Sequence, residues 1–142
     1  MSKPVSRMRA SRSLLIFALL AVASCSNTDD LATADREVEK FHQAYDDGRF
    51  GEIYDNATDD FKKDAPKQDF VAFMEKVQRK LGKTTATKRV NFNLNYGSGV
   101  TRATVVYETS FANGKGAEKF NYLVSGKKAR LVGYRLESKD LL

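Results

Sequence analysis

Apolar residues in the first half of the chain recur at helical spacing. A first stripe, in steps of three and four, consists of Leu31, Ala34, Val38, Phe41 and Tyr45. It predicts an amphipathic helix that ends at Gly48. A second stripe covers residues 50–61, with a break near Thr58, which can cap a short helix. A last helix is predicted from Pro66 to Gly82, and its expected inner face contains Phe70, Phe73, Met74, Val77 and Leu81.

After Gly82 the apolar period changes from helical to alternating. The first predicted strand places Val90, Phe92, Leu94 and Tyr96 on one face. Three more alternating segments follow, separated by the turn signals at 97–99, 113–114 and 125–128. Four strands joined by short turns predict an antiparallel meander with one apolar face. Because the helices come first, we expect an α+β domain with the helices packed on that face.

The start of the chain has the pattern of an export leader. Four basic residues, Lys3, Arg7, Arg9 and Arg12, precede an apolar run over residues 14–23. The run is about half as long as the roughly 20 residues that a membrane-spanning helix needs. A basic start, a short apolar segment and small residues at its end are typical of a secretory signal peptide, predicted here as residues 1–24.

The sequence Val22-Ala23-Ser24-Cys25 resembles the lipobox of bacterial lipoprotein precursors. The resemblance implies cleavage between Ser24 and Cys25 and attachment of lipid to the Cys25 sulfur. Two or more acyl chains give stable membrane attachment, so the predicted partner of Cys25 is a membrane. Ser26 stands where an Asp would resemble an inner-membrane retention signal, which favours the periplasmic side of an outer membrane. We interpret residues 25–33 as a lipidated tether and residues 34–142 as a single domain.

Removing the leader changes the charge of the protein. The whole chain has 24 Lys and Arg against 18 Asp and Glu, a formal net charge of +6. Without the four basic leader residues the balance is 20 against 18, or +2. Nucleic-acid binding normally requires a concentrated basic face, so no nucleic-acid partner is expected.

Residues 36–137 resemble the small bacterial proteins grouped as domain of unknown function 4019. The matching segments are Tyr45-Asp46-Asp47-Gly48-Arg49-Phe50, Asp60-Phe61, the helix over 70–82, Thr109-Ser110-Phe111-Ala112-Asn113 and Ala129-Arg130-Leu131-Val132-Gly133-Tyr134. The resemblance implies a cystatin-like or nuclear-transport-factor-2-like cone fold. The family has no established activity, so it implies no catalytic residues.

Few residues offer catalytic or metal-binding chemistry. His42 is the only histidine, and it lies at the edge of the first helical stripe, where we interpret it as a partly buried helix residue. Glu118 is an even number of residues from the apolar Phe120 and Tyr122, so it is predicted to lie on the same face of the strand. Its place at the start of that strand nevertheless predicts contact with solvent. No set of metal ligands is evident. We therefore expect no metal, no cofactor and no catalytic residue.

Two surfaces are candidates for binding. Cone folds often enclose an apolar pocket, and the residues that could line one here are Tyr45, Phe73, Tyr107, Tyr122 and Tyr134. The outer sheet face offers a flat polar contact surface that includes Asn91, Asn93, Asn95, Arg102 and Val106.

The function predicted is a non-catalytic binding or interaction module anchored in the cell envelope. Its partner would be an envelope protein or a second copy of the chain. The alternative is a carrier of a small apolar ligand, or an enzyme, that uses a pocket between the helices and the sheet.

Overall fold

The computed structural model describes residues 26–142. The predicted signal peptide and the cleavage and lipidation residues Ser24 and Cys25 lie outside the described residues. The elements in chain order are α1 Ser26–Asp46, α2 Phe50–Asn56, α3 Asp59–Asp64, α4 Lys67–Leu81, β1 Thr84–Gly97, β2 Val100–Phe111, β3 Gly114–Ser125, β4 Lys128–Glu137 and a final 3₁₀ turn Lys139–Leu141.

The predicted break at Thr58 separates α2 from α3. The Thr58 hydroxyl accepts a hydrogen bond from the backbone N–H of Phe61 at 3.3 Å, which caps α3. Pro66 occupies the N-cap of α4, and Gly82 ends that helix with φ of 77°. The interruptions that the sequence indicated are therefore confirmed.

The first helix is longer than the sequence predicted, because the segment interpreted as a tether is helical. α1 begins at Ser26, and Thr33 and Ala34 are already buried. The Thr33 hydroxyl donates to the carbonyl oxygen of Asp29 at 2.8 Å, one turn earlier. Asp29 lies in the first turn, where the helix dipole favours negative charge. The acidic composition that resembled a linker therefore stabilises a helix start.

The four strands form one antiparallel sheet in the order β1-β2-β3-β4. The pairing Val105↔Phe120↔Tyr134 places aromatic and aliphatic side chains on the face that α1 covers. Helices on one face of a four-stranded meander confirm the predicted α+β fold.

One irregularity changes the expected face of β1. The register shifts between Arg89 and Asn91, so Val90 is an extra residue at a β-bulge. Val90, Phe92 and Tyr96 are 46%, 51% and 53% exposed. The expectation that they belong to the core is wrong, because the helices leave about half of each of these side chains uncovered.

The core lies between α1, α2, α4 and the inner face of the sheet. Its largest fully buried side chains include Tyr45, Phe120, Met74 and Leu81. Among residues 26–142, no helix combines the length and apolar character that crossing a bilayer requires.

Candidate functional site

A buried acid, Glu118, lies at the centre of the molecule. Its side chain is joined to three others from different elements. His42 Nε2 lies 2.6 Å from Glu118 Oε2, and the Thr109 hydroxyl donates to the same oxygen at 2.5 Å. The Tyr134 hydroxyl donates to Glu118 Oε1 at 2.7 Å. Both oxygens of the Glu118 carboxyl group therefore accept hydrogen bonds, as buried polar atoms require.

Aromatic rings enclose this polar cluster. Phe120 makes an edge contact with the His42 ring at 5.8 Å between centroids, and it packs against Tyr134 at 5.2 Å. Phe41 packs against Tyr134 at 4.8 Å. Burial raises the pKa of Tyr134 well above its usual value, and the nearby Glu118 carboxylate adds to this shift. Tyr134 therefore stays protonated and remains a donor to Glu118.

The expectation that solvent reaches Glu118 is wrong, since only 1% of the residue is exposed. β3 begins at Gly114, which places Glu118 well inside the strand rather than at its start. His42 is 7% exposed and more deeply buried than expected. Two features of the sequence pointed to this pair. Glu118 alternates in step with the inward-facing residues of its strand, and His42 lies beside the apolar stripe of its helix.

A second polar cluster forms around Asp35, on the same helix as His42. The Tyr107 hydroxyl donates to Asp35 Oδ1 at 2.6 Å, and Arg89 forms an ion pair with Asp35 Oδ2. Burial and the hydrogen bond to Asp35 raise the pKa of Tyr107. The Arg89 guanidinium also lies 5.3 Å from the centre of the Phe92 ring, a cation–π contact. The cluster fixes α1 against β1 and β2.

A groove of about 250 Å³ lies between α1, α2 and the last two strands. We call it the α1–α2 groove. Its apolar wall includes Phe41, Ile53, Tyr122 and Leu131, and charged side chains such as Arg49 stand at its rim. Burial raises the pKa of Tyr122 well above its usual value, so its hydroxyl is a neutral group. An apolar wall with a polar rim suits a small amphipathic molecule.

A second groove, the α1–β1 groove, has a volume of about 490 Å³ and a more polar lining. His42 and Tyr107 form part of its wall, and Asp46 and Asp47 stand at one end. A carboxylate that orients a histidine beside a cleft is an arrangement that general-base catalysis uses. Here the carboxylate is Glu118.

The five predicted pocket residues do not surround one cavity. Tyr122 lines the α1–α2 groove and Tyr107 lines the α1–β1 groove, whereas Tyr45 and Tyr134 line neither. The Tyr45 hydroxyl instead donates to the carbonyl oxygen of Gly82 at 2.8 Å, at the end of α4. Burial also raises the pKa of Tyr45.

Phe73 is 41% exposed, so its expected place on the inner face of α4 is wrong. The buried residues of that helix are Phe70, Met74, Val77 and Leu81. At 3.6 residues per turn, Phe73 is rotated by roughly 70° from the centre of this narrow stripe. It therefore lies on the flank of the helix.

The predicted contact residues share the outer sheet face. The register places Asn91 beside Val106, Asn93 beside Thr104 and Asn95 beside Arg102. The three asparagines and Arg102 are exposed, and Val106 is half-buried. Thr104 donates to the Asn121 side chain at 2.8 Å across the next strand pair. The face is polar at these positions apart from Val106, an apolar exception.

Within residues 26–142, no three His, Cys, Asp or Glu side chains are grouped so that they could hold a metal ion. Compared with protein-family models, curated proteins and solved structures, the chain matches none.

Proposed function

We propose that this protein is a lipid-anchored lipoprotein of the bacterial cell envelope whose α+β domain is a non-catalytic interaction module. The proposal includes cleavage before Cys25, acylation of its sulfur and a location on the periplasmic side of an outer membrane in cells that have one. It also includes membership of the domain in the cystatin-like or nuclear-transport-factor-2-like cone folds that the sequence resembles.

The start of α1 supports a short connection between anchor and domain. Helix α1 is described from Ser26 onward, and Ser26 is the residue that follows the proposed lipidation site. At 1.5 Å per residue, the eight residues up to Thr33 span only about 12 Å. A lipidated Cys25 would hold the domain next to the bilayer surface rather than on a long flexible tether.

The observation that carries the interaction role is the exposed apolar surface of β1. Of five exposed large apolar residues in the described part of the chain, three belong to this strand: Val90, Phe92 and Tyr96. Clustered exposed apolar residues mark protein contact sites more often than scattered ones do. The aromatic interior and the fully bonded Glu118 favour a structural role for the centre of the molecule over a reactive one.

Membrane fractionation with affinity capture tests the proposal. Wild type is expected in the membrane fraction, and Cys25→Ser is expected to lose membrane attachment, because the variant lacks the sulfur that carries the lipid. Capture from solubilised membranes is then compared between wild type and Phe92→Lys, with Phe73→Lys as a matched control on α4. A Cys25→Ser chain that stays in the membrane, or identical capture by Phe92→Lys, contradicts the proposal.

One observation favours the alternative function, in which a groove binds a small molecule. His42 is oriented by Glu118 and forms part of the wall of the α1–β1 groove. A ligand in this groove would raise the melting temperature of wild type and not of Thr87→Arg, whose side chain would fill the groove. Ala129→Arg, which fills the α1–α2 groove instead, is the control. A melting temperature that no ligand in a metabolite panel shifts in this pattern counts against the alternative.

A further inference from the structure

The sheet has two edges, and they differ in how they are protected against pairing with another strand. β4 is 10 residues long and carries four charged side chains, Lys128, Arg130, Arg135 and Glu137. Charged side chains on an edge oppose the addition of another strand. β1 is 14 residues long, the longest strand in the described part of the chain.

The protection of β1 is confined to its first half. Lys88 and Arg89 precede the bulge at Val90, and bulges and charges both discourage edge pairing. Residues 91–97, which follow the bulge, contain no charged residue and no proline. These seven residues pair with β2 on one side, and no described strand lies on the other. Their outward N–H and C=O groups form a template for another strand.

The side chains of this half-strand form an uncovered apolar strip. Phe92, Leu94 and Tyr96 lie opposite the buried residues Val105, Ala103 and Thr101 of β2, which places them on the inner face of the sheet. Phe92 and Tyr96 are nevertheless more than half exposed, and Leu94 between them is half-buried. The strip therefore extends the core surface beyond the area that the helices cover.

The segment matches itself when it is paired antiparallel about a two-fold axis through Leu94. Phe92 then faces Tyr96 of the second copy, and Leu94 faces its own equivalent. On the other face Asn93 lies opposite Asn95, so amides meet amides and apolar side chains meet apolar side chains. Arg89 falls beyond the end of the second copy's strand, and like charges do not meet.

We propose that residues 91–97 of β1 pair with the same segment of a second copy, which joins two sheets into one of eight strands. This proposal rests on the proposed interaction role and identifies the partner of the domain as a second copy of the chain. The paired half of β1 is the half nearest the start of α1, because Asp30 accepts a hydrogen bond from Thr101, opposite Tyr96, at 2.6 Å. Lipid anchors on the same membrane raise the effective concentration of the two strands.

Disulfide trapping in membranes tests the pairing with the full-length chain. At the two-fold axis the two copies of residue 94 lie about 4.5–5.5 Å apart between Cα atoms, a separation that a disulfide spans. Leu94→Cys is expected to give a cross-linked product of twice the chain mass after mild oxidation. Ala86→Cys, which lies on the same strand outside the segment proposed to pair with the second copy, and wild type are the controls. In the Leu94→Cys background, Phe92→Lys should lower the yield about tenfold, the effect of about 1.4 kcal/mol.

Several results would overturn the pairing. These are the absence of the dimer, an equal yield from Ala86→Cys, or a product whose mass shows a foreign protein. A yield that is lowered by Val106→Arg and not by Phe92→Lys would place the contact on the outer sheet face instead. The same fractions also report the anchor: a chain in the membrane without cross-linking contradicts only the pairing. A chain in the soluble fraction contradicts the anchor, and cross-linking of Leu94→Cys in a Cys25→Ser background, which carries no other thiol, then decides the pairing.

Discussion

At the scale of single residues, Glu118 joins four elements of the fold. Its partners are His42 on α1, Thr109 on β2 and Tyr134 on β4, while Glu118 itself belongs to β3. The three bonds lie among apolar rings, where a polar group without a partner is costly. The cluster therefore fixes the position of the helix relative to three strands.

We expect Glu118→Ala to destabilise the fold by about 3–5 kcal/mol, since it leaves the hydroxyls of Thr109 and Tyr134 without their acceptor and His42 without its partner in the buried interior. The control is Glu108→Ala, an exposed acid on β2, which should change stability by no more than about 0.5 kcal/mol. Urea unfolding followed by circular dichroism measures both. Equal stability of the two variants would show that the buried cluster does not hold the fold together.

Part of the cluster around Glu118 could be predicted from the sequence. The alternation of β3 placed Glu118 on the same face as Phe120 and Tyr122, and the helical spacing placed His42 beside the apolar stripe of α1. The expectation of solvent contact for Glu118 was nevertheless wrong, and His42 is more deeply buried than expected. The contact between His42 and Glu118 could not be predicted, because it joins residues 76 positions apart. Only the packing of α1 on the sheet determines which helix residue meets which strand residue. The same limit applies to Asp35 and Tyr107.

At the scale of elements, the helix and strand pattern was largely predictable, and the start of α1 was not. A polar, acidic segment suits a linker by composition, whereas the helix dipole and the contact between Asp30 and Thr101 make it helical. The bulge in β1 was also hidden, since one extra residue at Val90 leaves the alternating pattern on either side intact.

The helical start of α1 predicts a strong effect of proline at position 32. Ala32→Pro removes an intrahelical hydrogen bond and should cost about 3 kcal/mol. In a chain cleaved before Cys25, the N–H of Asn27 has no residue four positions earlier to bond to, so Asn27→Pro should be tolerated. The free energy of unfolding of each variant measures the difference. If both variants were equally stable, residues 26–33 would behave as a tether after all.

Crowding at the end of α4 gives a second prediction at this scale. Gly82 has φ of 77°, and an added Cβ would lie 2.9 Å from the Ala112 Cβ. Gly48 also has a positive φ, of 71°, and has open space around it. Gly82→Ala should therefore cost more than Gly48→Ala, by about 1 kcal/mol or more. Thermal unfolding of the pair separates crowding from backbone strain; equal losses would mean that Ala112 moves aside without cost.

At the scale of the whole molecule, four tyrosines couple stability to alkaline pH. Burial raises the pKa of Tyr45, Tyr107, Tyr122 and Tyr134 in the folded state. Unfolded tyrosine has a pKa of about 10. The unfolded chain therefore loses these protons first, so their contribution to stability is complete below about pH 10 and falls as pH rises further.

We expect the free energy of unfolding to fall steeply above about pH 10. The slope of this free energy against pH reports how many protons unfolding releases, and Tyr122→Phe should lower that number by one. Urea titrations at a series of pH values measure the slope, and absorbance of tyrosinate reports ionisation. A slope that Tyr122→Phe leaves unchanged, or a tyrosinate absorbance of the folded protein at about pH 10 that Tyr122→Phe lowers, would contradict the burial of this hydroxyl.

Also at the scale of the whole molecule, we propose as the central claim that a lipidated Cys25 holds the folded domain at the membrane. Mass spectrometry of the protein extracted from bacterial membranes tests it most directly. The claim predicts an amino-terminal peptide that starts at Cys25 and carries the mass of a diacylglyceryl group on sulfur. A membrane-bound chain that retains residues 1–24, or that carries an unmodified Cys25, would contradict it.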